Sequence, residues 1–351
     1  MLTVIIPAHN EADQIAETLD SVFAQTTKPD KCVVITDNCT DQTGEIAICK
    51  GAEVFATDGN RYKKAGALNQ WLDQNLPKLA DADYVLVMDA DSSLDKAFTT
   101  NATRWIRKGY AACGGVFSGK PGGGFVGMLQ RNEYARYARD VAHKRGKTLV
   151  LTGTATLFTA GCLRSVVEGR RSGKLPRKSK QPEAEAHVYD TKALTEDNEL
   201  TFALLHLGYK IIAPAECKLQ TEVMTSWHDL WKQRHRWKRG AIENNVHYGL
   251  TRYTIKYWGL QVWGFIGILA TIVYLSTTIF AAATGNLQLH AIWMIVTVLF
   301  CLERAITVRS RGWRQALLAS VLVVEMGFDL LLQAVHVKAL GDALRRAEKA
   351  W

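Results

Sequence analysis

The sequence holds no Cys-x-x-Cys pair, and its seven cysteines (Cys32, Cys39, Cys49, Cys113, Cys162, Cys217 and Cys301) have no histidine partners at zinc spacing. That excludes a zinc-finger scaffold. An odd, scattered set also argues against a secreted disulfide framework and leads us to expect buried thiols in a reducing compartment. No glycine-rich stretch ends in Gly-Lys-Ser/Thr, so the glycines of Gly119–Gly127 receive no phosphate-binding role. RNA-binding sheet motifs are missing as well, which removes the usual signs of a nucleic-acid partner. Nothing at the start resembles a signal peptide, because Met1 leads almost directly into the apolar run Leu2–Pro7. The soluble part is therefore expected in the cytoplasm. Charge of either sign is missing from Trp258 to Ala283.

Elsewhere charge is plentiful and uneven. The net charge is +9, with basic residues gathered between Arg164 and Lys180 and between Gln233 and Arg239. Such a balance fits nucleic acid or an anionic membrane face. The apolar segments beside the basic ones favour the membrane. A chain of 351 residues can bury one sizeable core and corresponds to about two units.

From Leu2 to Met88 short apolar runs alternate with longer periodic ones. Leu2–Ile6, Cys32–Ile35, Glu53–Ala56 and Tyr84–Met88 read as buried strands, while Glu11–Ala24, Asp41–Lys50 and Lys63–Asn75 carry apolar residues at helical spacing. This alternation predicts an α/β fold with a parallel sheet covered on both faces. Ligands of such sheets bind at the carboxyl ends of the strands, where Asp37 and Asp89 fall. Beyond Asp91, Gly122–Gly124 marks a loop and Met128–His143 an amphipathic helix. Thr148–Thr159 reads as one or two strands, and Arg170–His187 as a mobile connection. Ser226–His247 reads as a helix with Trp227, Leu230, Trp231 and Trp237 near one side among basic residues, which suits a membrane interface.

The last hundred residues differ in kind. Trp258–Ala283 is long enough to span a bilayer, which takes about 20 residues. His290–Leu302 is shorter and needs Arg304 to reach the headgroups. Gln315–Val335 contains Glu325 and Asp329, which can face a bundle interior or mark a re-entrant segment; a homo-oligomer is a further way to shield them. The uncharged loop near Gly285–Gln288 is expected outside, and the loop with Arg304, Arg309, Arg311 and Arg314 inside. Two spans satisfy that charge rule better than three. The expected organisation is a catalytic part over residues 1–225, an interfacial region over 226–256 and a transmembrane region over 257–351.

Several motifs can carry chemistry. Asp89-Ala-Asp91 follows an apolar strand, and two carboxylates on such a turn can hold Mg²⁺ or Mn²⁺; a solvated turn is the plainer reading. Asp37 can accept from the imide of uracil or cap the next helix, a role Asp41 can equally take. Pro7, Asn10 and Glu11 end the first strand and can line the same nucleotide pocket, although Glu11 can simply serve the first turn of its helix. Thr195-Glu-Asp197 opens a helix over Asn198–Leu207. A carboxylate there can deprotonate a hydroxyl, and the same sequence is a good cap that would fix where Asp197 points. In the cluster Gln233–Trp237, Arg236 can bind diphosphate oxygens and Trp237 can stack on a sugar.

Taken in order, Val4–Glu11, Thr36–Asp41, Lys64–Asn69, Asp89–Asp91, Thr195–Asp197 and Gln233–Trp237 resemble glycosyltransferase family 2, especially its membrane-embedded branch of cellulose, chitin and hyaluronan synthases. The resemblance covers Leu2 to about Gly240. It implies a Rossmann-like nucleotide-sugar domain of GT-A type, a UDP-sugar donor, a divalent metal (Mn²⁺ or Mg²⁺) and inversion at the anomeric carbon. It further implies Asp37 at uracil, Lys64 near the donor, Asp89 and Asp91 around diphosphate and metal, and Asp197 as base. Glu196, Gln233 and Trp237 fall to the acceptor, and Arg236 to the pyrophosphate. The acceptor is a glycan, a lipid or a protein, and the enzyme an integral membrane protein with its catalytic part in the cytoplasm. The second strand ends in Thr36-Asp37 where the family has paired aspartates. Two other readings stay open here: a non-catalytic nucleotide-binding membrane scaffold, which has no need of intact acidic motifs, and a sugar nucleotidyltransferase, which leaves the apolar C-terminal part without a purpose.

Overall fold

The computed structural model describes residues 1–176, 186–288 and 290–347. It divides into two compact units, Met1–Gly122 with Tyr137–Val223, and Gly123–Arg136 with Met224–Trp351. Part of the connection expected over Arg170–His187 lies outside the described residues.

The first unit begins β1 (Leu2–Ala8), α1 (Ile15–Phe23), β2 (Lys31–Thr36), α2 (Thr43–Cys49), β3 (Glu53–Ala56), α3 (Lys63–Asn75), β4 (Tyr84–Met88), β5 (Ser93–Leu94), α4 (Phe98–Ile106), β6 (Ala112–Gly114) and β7 (Val116–Gly119). After α5 (Gly124–His143), which starts in the second unit's share of the chain, come β8 (Ala155–Thr159), α6 (Ala160–Arg171), α7 (Glu196–His206), β9 (Ile211–Ile212) and β10 (Lys218–Thr221). Seven strands form one sheet in the order β3-β2-β1-β4-β8-β6-β9. The first four are parallel, and β8 enters antiparallel to β4, with Val87 opposite Thr156. A small sheet, β5-β10-β7, stands beside it. The strands Val4–Ile6, Val33–Ile35 and Val85–Met88 are buried without alternation, as strands covered on both faces must be. Ile15, Leu19 and Phe98 pack on this core. The predicted α/β class and its four leading strands are therefore present.

The stretch Thr148–Thr159 yields one strand only; residues 148–154 form a loop. Four cysteines are buried as expected, but Cys49 is exposed, and all seven are free.

The second unit is helical: α8 (Trp227–Tyr248), α9 (Ile255–Ala283), α10 (Ala291–Val308), α11 (Trp313–Ser320) and α12 (Leu322–Leu344). Ser226 caps α8 by accepting from Asp229 N at 3.1 Å. The buried positions of α8 include Leu230, Arg234 and Arg239, whereas Trp227 is exposed. Arginines, more than tryptophans, thus make its inner face. Val126, Leu129, Leu230 and Phe328 form a core within this unit. Among the described residues only α9, 29 residues long with mean hydropathy 2.0 in its best window, is by itself long and apolar enough to cross a membrane. The segment read as Gln315–Val335 is broken between α11 and α12, which bend by 76°. Glu325 is buried against Arg136, with Asn132 Nδ2 at 3.4 Å and Arg304 at 4.0 Å. Its own unit therefore shields Glu325, one of the two acids behind the expectation of a homo-oligomer; Asp329 is half-buried.

Candidate functional site

The parallel strands β1, β2 and β4 end side by side, and each releases a functional segment there. After β1, Asn10 adopts φ 57°, a left-handed geometry asparagine tolerates, and its Oδ1 accepts from Thr40 N at 2.7 Å. Pro7 lies in β1 opposite Ile35. Past β2, Asp37 is buried and Asp41, not Asp37, does the helix work: Asp41 accepts from Thr43 N at 3.0 Å and from Ala12 N at 3.0 Å. Capping is thus accounted for, and Asp37 is free for another role.

At the end of β4, Asp89 meets Lys64, from the first turn of α3. The ammonium lies 2.5 Å from Asp89 Oδ1, 3.5 Å from Glu196 and 3.3 Å from the Gly153 carbonyl. Asp197 completes the group. Its Oδ2 accepts from Gly153 N at 2.9 Å and its Oδ1 from Asn198 N at 2.7 Å. Val87, Leu151, Phe158, Tyr189 and Leu200 wall this cluster from behind, in a pocket it shares with Thr152 and Thr156.

That wall sets the electrostatics. Burial, then the Glu196 charge, pushes the Asp197 carboxyl up to about 6 against the pull of Lys64 and the two N–H donors. Burial also lifts Asp89 to about 6, with Lys64 opposing and Asp91 adding to the rise. Glu11 reaches about 7 through burial and the charges of Asp91, Glu222, Asp89 and Asp41. Burial alone would lower the Lys64 ammonium, but Asp89, Glu196 and Asp197 outweigh it and hold it well above the ordinary lysine value.

Asp91 accepts on Oδ1 from Ser92 at 3.0 Å and Thr221 at 3.3 Å. The Oδ2 atoms of Asp89 and Asp91 have no hydrogen-bond partner among the described residues, so two oxygen donors remain for a hard cation. No group of three His, Cys, Asp or Glu that could cage a metal occurs among those residues. The donor set therefore fits Mn²⁺ or Mg²⁺ only if substrate phosphates complete the shell, an arrangement Mg²⁺ commonly takes. The excess of buried negative charge, which raises Glu11 and Asp89, is what a bound cation would relieve.

Two expectations need correction. The Thr195 side chain makes no cap bond to α7, which begins at Glu196 rather than Asn198. Asp197 is aimed by the Gly153 peptide instead. Sequence reasoning also missed Gly153 itself: a Cβ there would lie 2.8 Å from Lys64 Nζ and 3.6 Å from Asp197 Oδ2. A lone glycine inside an apolar, strand-like stretch was its signal. Asn69 had no such signal; it clamps the backbone of Tyr189 at 2.8 and 3.0 Å.

The Gln233–Trp237 cluster lies in the second unit, on α8. Arg234 pairs with Glu133 at 2.7 Å and covers one face of Trp237 at 4.4 Å, while Gln233 accepts from Arg234. The Arg236 side chain, on α8, makes no hydrogen bond or ion pair among the described residues.

Residues 3–166 match the model of the family described as Glycosyl transferase family 2. Over those residues the chain is similar to the family 2 glycosyltransferases. Poly-beta-1,6-N-acetyl-D-glucosamine synthase of Staphylococcus aureus (strain MSSA476) is 28% identical over 252 residues, which cover 69% of this chain and 55% of that protein. The synthase of the same name from Staphylococcus epidermidis is 25% identical over 254 residues. The chain thus spans about half the length of the curated relatives it matches. The mannosyltransferase PcManGT from Pyrobaculum calidifontis, solved with GDP-Man and Mn²⁺, superposes with a TM-score of 0.60 at 17% identity, over 99% of this chain and 88% of that one. That likeness is one of fold alone.

Proposed function

We propose that the chain is a membrane-bound, metal-dependent, inverting glycosyltransferase that moves a sugar from a UDP-sugar to an acceptor hydroxyl. The observation that carries this reading is one ammonium, Lys64, gathering Asp89 and the Glu196–Asp197 pair at the strand ends of a family 2 domain. Asp197 takes the proton from the acceptor hydroxyl, and the freed oxygen forms a bond to the anomeric carbon as the bond to diphosphate breaks. A base lifted to about 6 is both ionised at neutral pH and strong enough for the task. Asp89 and Asp91 would hold the divalent ion, which would supply Lewis-acid neutralisation of the charge on a departing diphosphate. Asp37 takes the uracil imide, with Pro7, Asn10 and Glu11 lining the nucleotide pocket. Glu196, Gln233 and Trp237 serve the acceptor, and Arg236, which has no protein partner among the described residues, serves the diphosphate.

Residues 1–225 are proposed as the catalytic part on the cytoplasmic side, 226–256 as interfacial and 257–351 as membrane-embedded. The exposed apolar surface of α9 supports this, including Trp263, Leu269 and Phe280. The names of the staphylococcal relatives make N-acetylglucosamine the first sugar to test, and the GDP-Man bound to the Pyrobaculum calidifontis neighbour makes guanine the competing base. The experiment incubates full-length protein in detergent with MnCl₂ and a panel containing UDP-N-acetylglucosamine, UDP-glucose and GDP-mannose, and measures free nucleotide diphosphate. Release from a UDP-sugar that EDTA abolishes is expected. No release from any donor by folded protein would sink the reading.

A further inference from the structure

The two oxygens of Asp37 have different surroundings. Oδ1 accepts from Asn38 Nδ2 at 3.0 Å, Thr57 Oγ1 at 2.9 Å and Asn60 Nδ2 at 2.8 Å. A carboxylate oxygen offers about two lone-pair sites, so three donors saturate it. Oδ2 has no hydrogen-bond partner among the described residues, although the side chain is only 7% exposed. The donors are themselves fixed. Asn60 Oδ1 accepts from Tyr62 N at 2.9 Å, which decides which end of that amide faces Asp37. Asn60 Nδ2 also reaches Lys63 O at 2.8 Å, and Asn38 Nδ2 reaches Asn60 O at 3.1 Å. A Cβ at Gly66 would come within 2.0 Å of Asn60 Oδ1, so the turn can lie this close to α3 only over glycine.

We propose that Asn38, Thr57 and Asn60 are specificity-determining residues. By filling Oδ1 they leave Asp37 one acceptor oxygen, which suits the single imide N–H of uracil and disfavours guanine. Guanine presents two adjacent N–H donors that together need both carboxylate oxygens. With Oδ1 filled, one donor stays unpaired in a buried site, a penalty of roughly tenfold or more in affinity. This inference rests on the reading of the site as one for nucleotide diphosphates.

Calorimetric titration of the full-length protein with UDP and with GDP, MnCl₂ present, tests it. Wild type is expected to favour UDP by about tenfold or more. Thr57→Val/Asn60→Ala, which frees a lone pair on Oδ1, is expected to narrow that ratio about tenfold. Thr57→Val/Asn38→Gly is expected to do the same and provides a second route if the first variant fails to fold; glycine accepts the φ of 51° at position 38. Equal affinity of wild type for the two nucleotides, or an undiminished ratio in a folded double variant, would overturn the inference and leave the glycosyltransferase reading standing. Wild type that binds neither nucleotide would overturn both.

Discussion

Both units bury charge, and they do so on opposite terms. In the second unit, among the described residues, the buried arginines Arg234 and Arg239 each face an acid, Glu133 and Glu243, and the buried Glu325 faces Arg136 and Arg304. In the first, one ammonium faces three carboxylates at the strand ends, and the carboxyls of Asp89 and Asp197 sit near 6 as a result of burial and mutual repulsion. Matched charges hold helices in register. A mismatched set stores electrostatic free energy that a cation or a transferred proton can release, and this imbalance distinguishes a reaction centre from a fastening. The first unit also contains a fastening for contrast. Arg170 and Glu199 pair at 2.6 Å with 4% and 0% exposure, and Arg170 also donates to Val188 O at 3.1 Å.

The comparison can be broken first at its chemical end. Asp197→Asn should reduce transfer by about 10²–10⁴-fold while leaving UDP affinity within about threefold, read by product formation and calorimetry. Loss of UDP binding in a folded variant would remove Asp197 from the role of base. The fastening should respond in stability. Arg170→Met leaves Glu199 buried and unpaired and should cost about 3–5 kcal/mol in denaturant titration; Arg170→Met/Glu199→Leu should recover most of it. A small loss in the single variant would mean that the pair is not the structural element described.

The smallest effect is in pH, and its sign differs for activity and for stability. A base near 6 must be deprotonated, so transfer should fall about tenfold per unit as pH drops below 6. Stability runs the other way. Glu11, Asp89 and Asp197 hold protons more tightly folded than unfolded, so their contribution is fully present below their ordinary values near 4. It is lost as pH rises through 6 to 7. Metal-free protein should therefore melt higher at pH 5 than at pH 7.5, apart from other titrating groups. A lower melting temperature at pH 5 would remove the three acids as the controlling groups.

Much of this was legible in the sequence. Strands rich in valine and isoleucine and the helix Lys63–Asn75 carry their own periodicity, and Asp37 and Asp89 fall at strand ends by topology alone. What stayed hidden was assembled from distant segments. Thr57, Asn60 and Gly153 matter because the fold brings them to Asp37, Lys64 and Asp197, and no local pattern encodes that meeting. Thr195 misled because its sequence fits a cap, whereas the neighbouring strap supplied a donor from elsewhere. The apolar run Gln315–Val335 hid the break at Val321, since hydropathy carries no information about direction.

The strap at Gly153 has one more consequence. The hydrogen that aims Asp197 belongs to a peptide bond, so exchanging one side chain for another cannot delete it; only proline at that position removes it outright. Drift in the surrounding residues can reshape the pocket around Asp197 while the carboxylate held by Gly153 N keeps its bearing. The orientation of the proposed base is inherited from the path of the chain, and acceptor preference would be free to diverge around it.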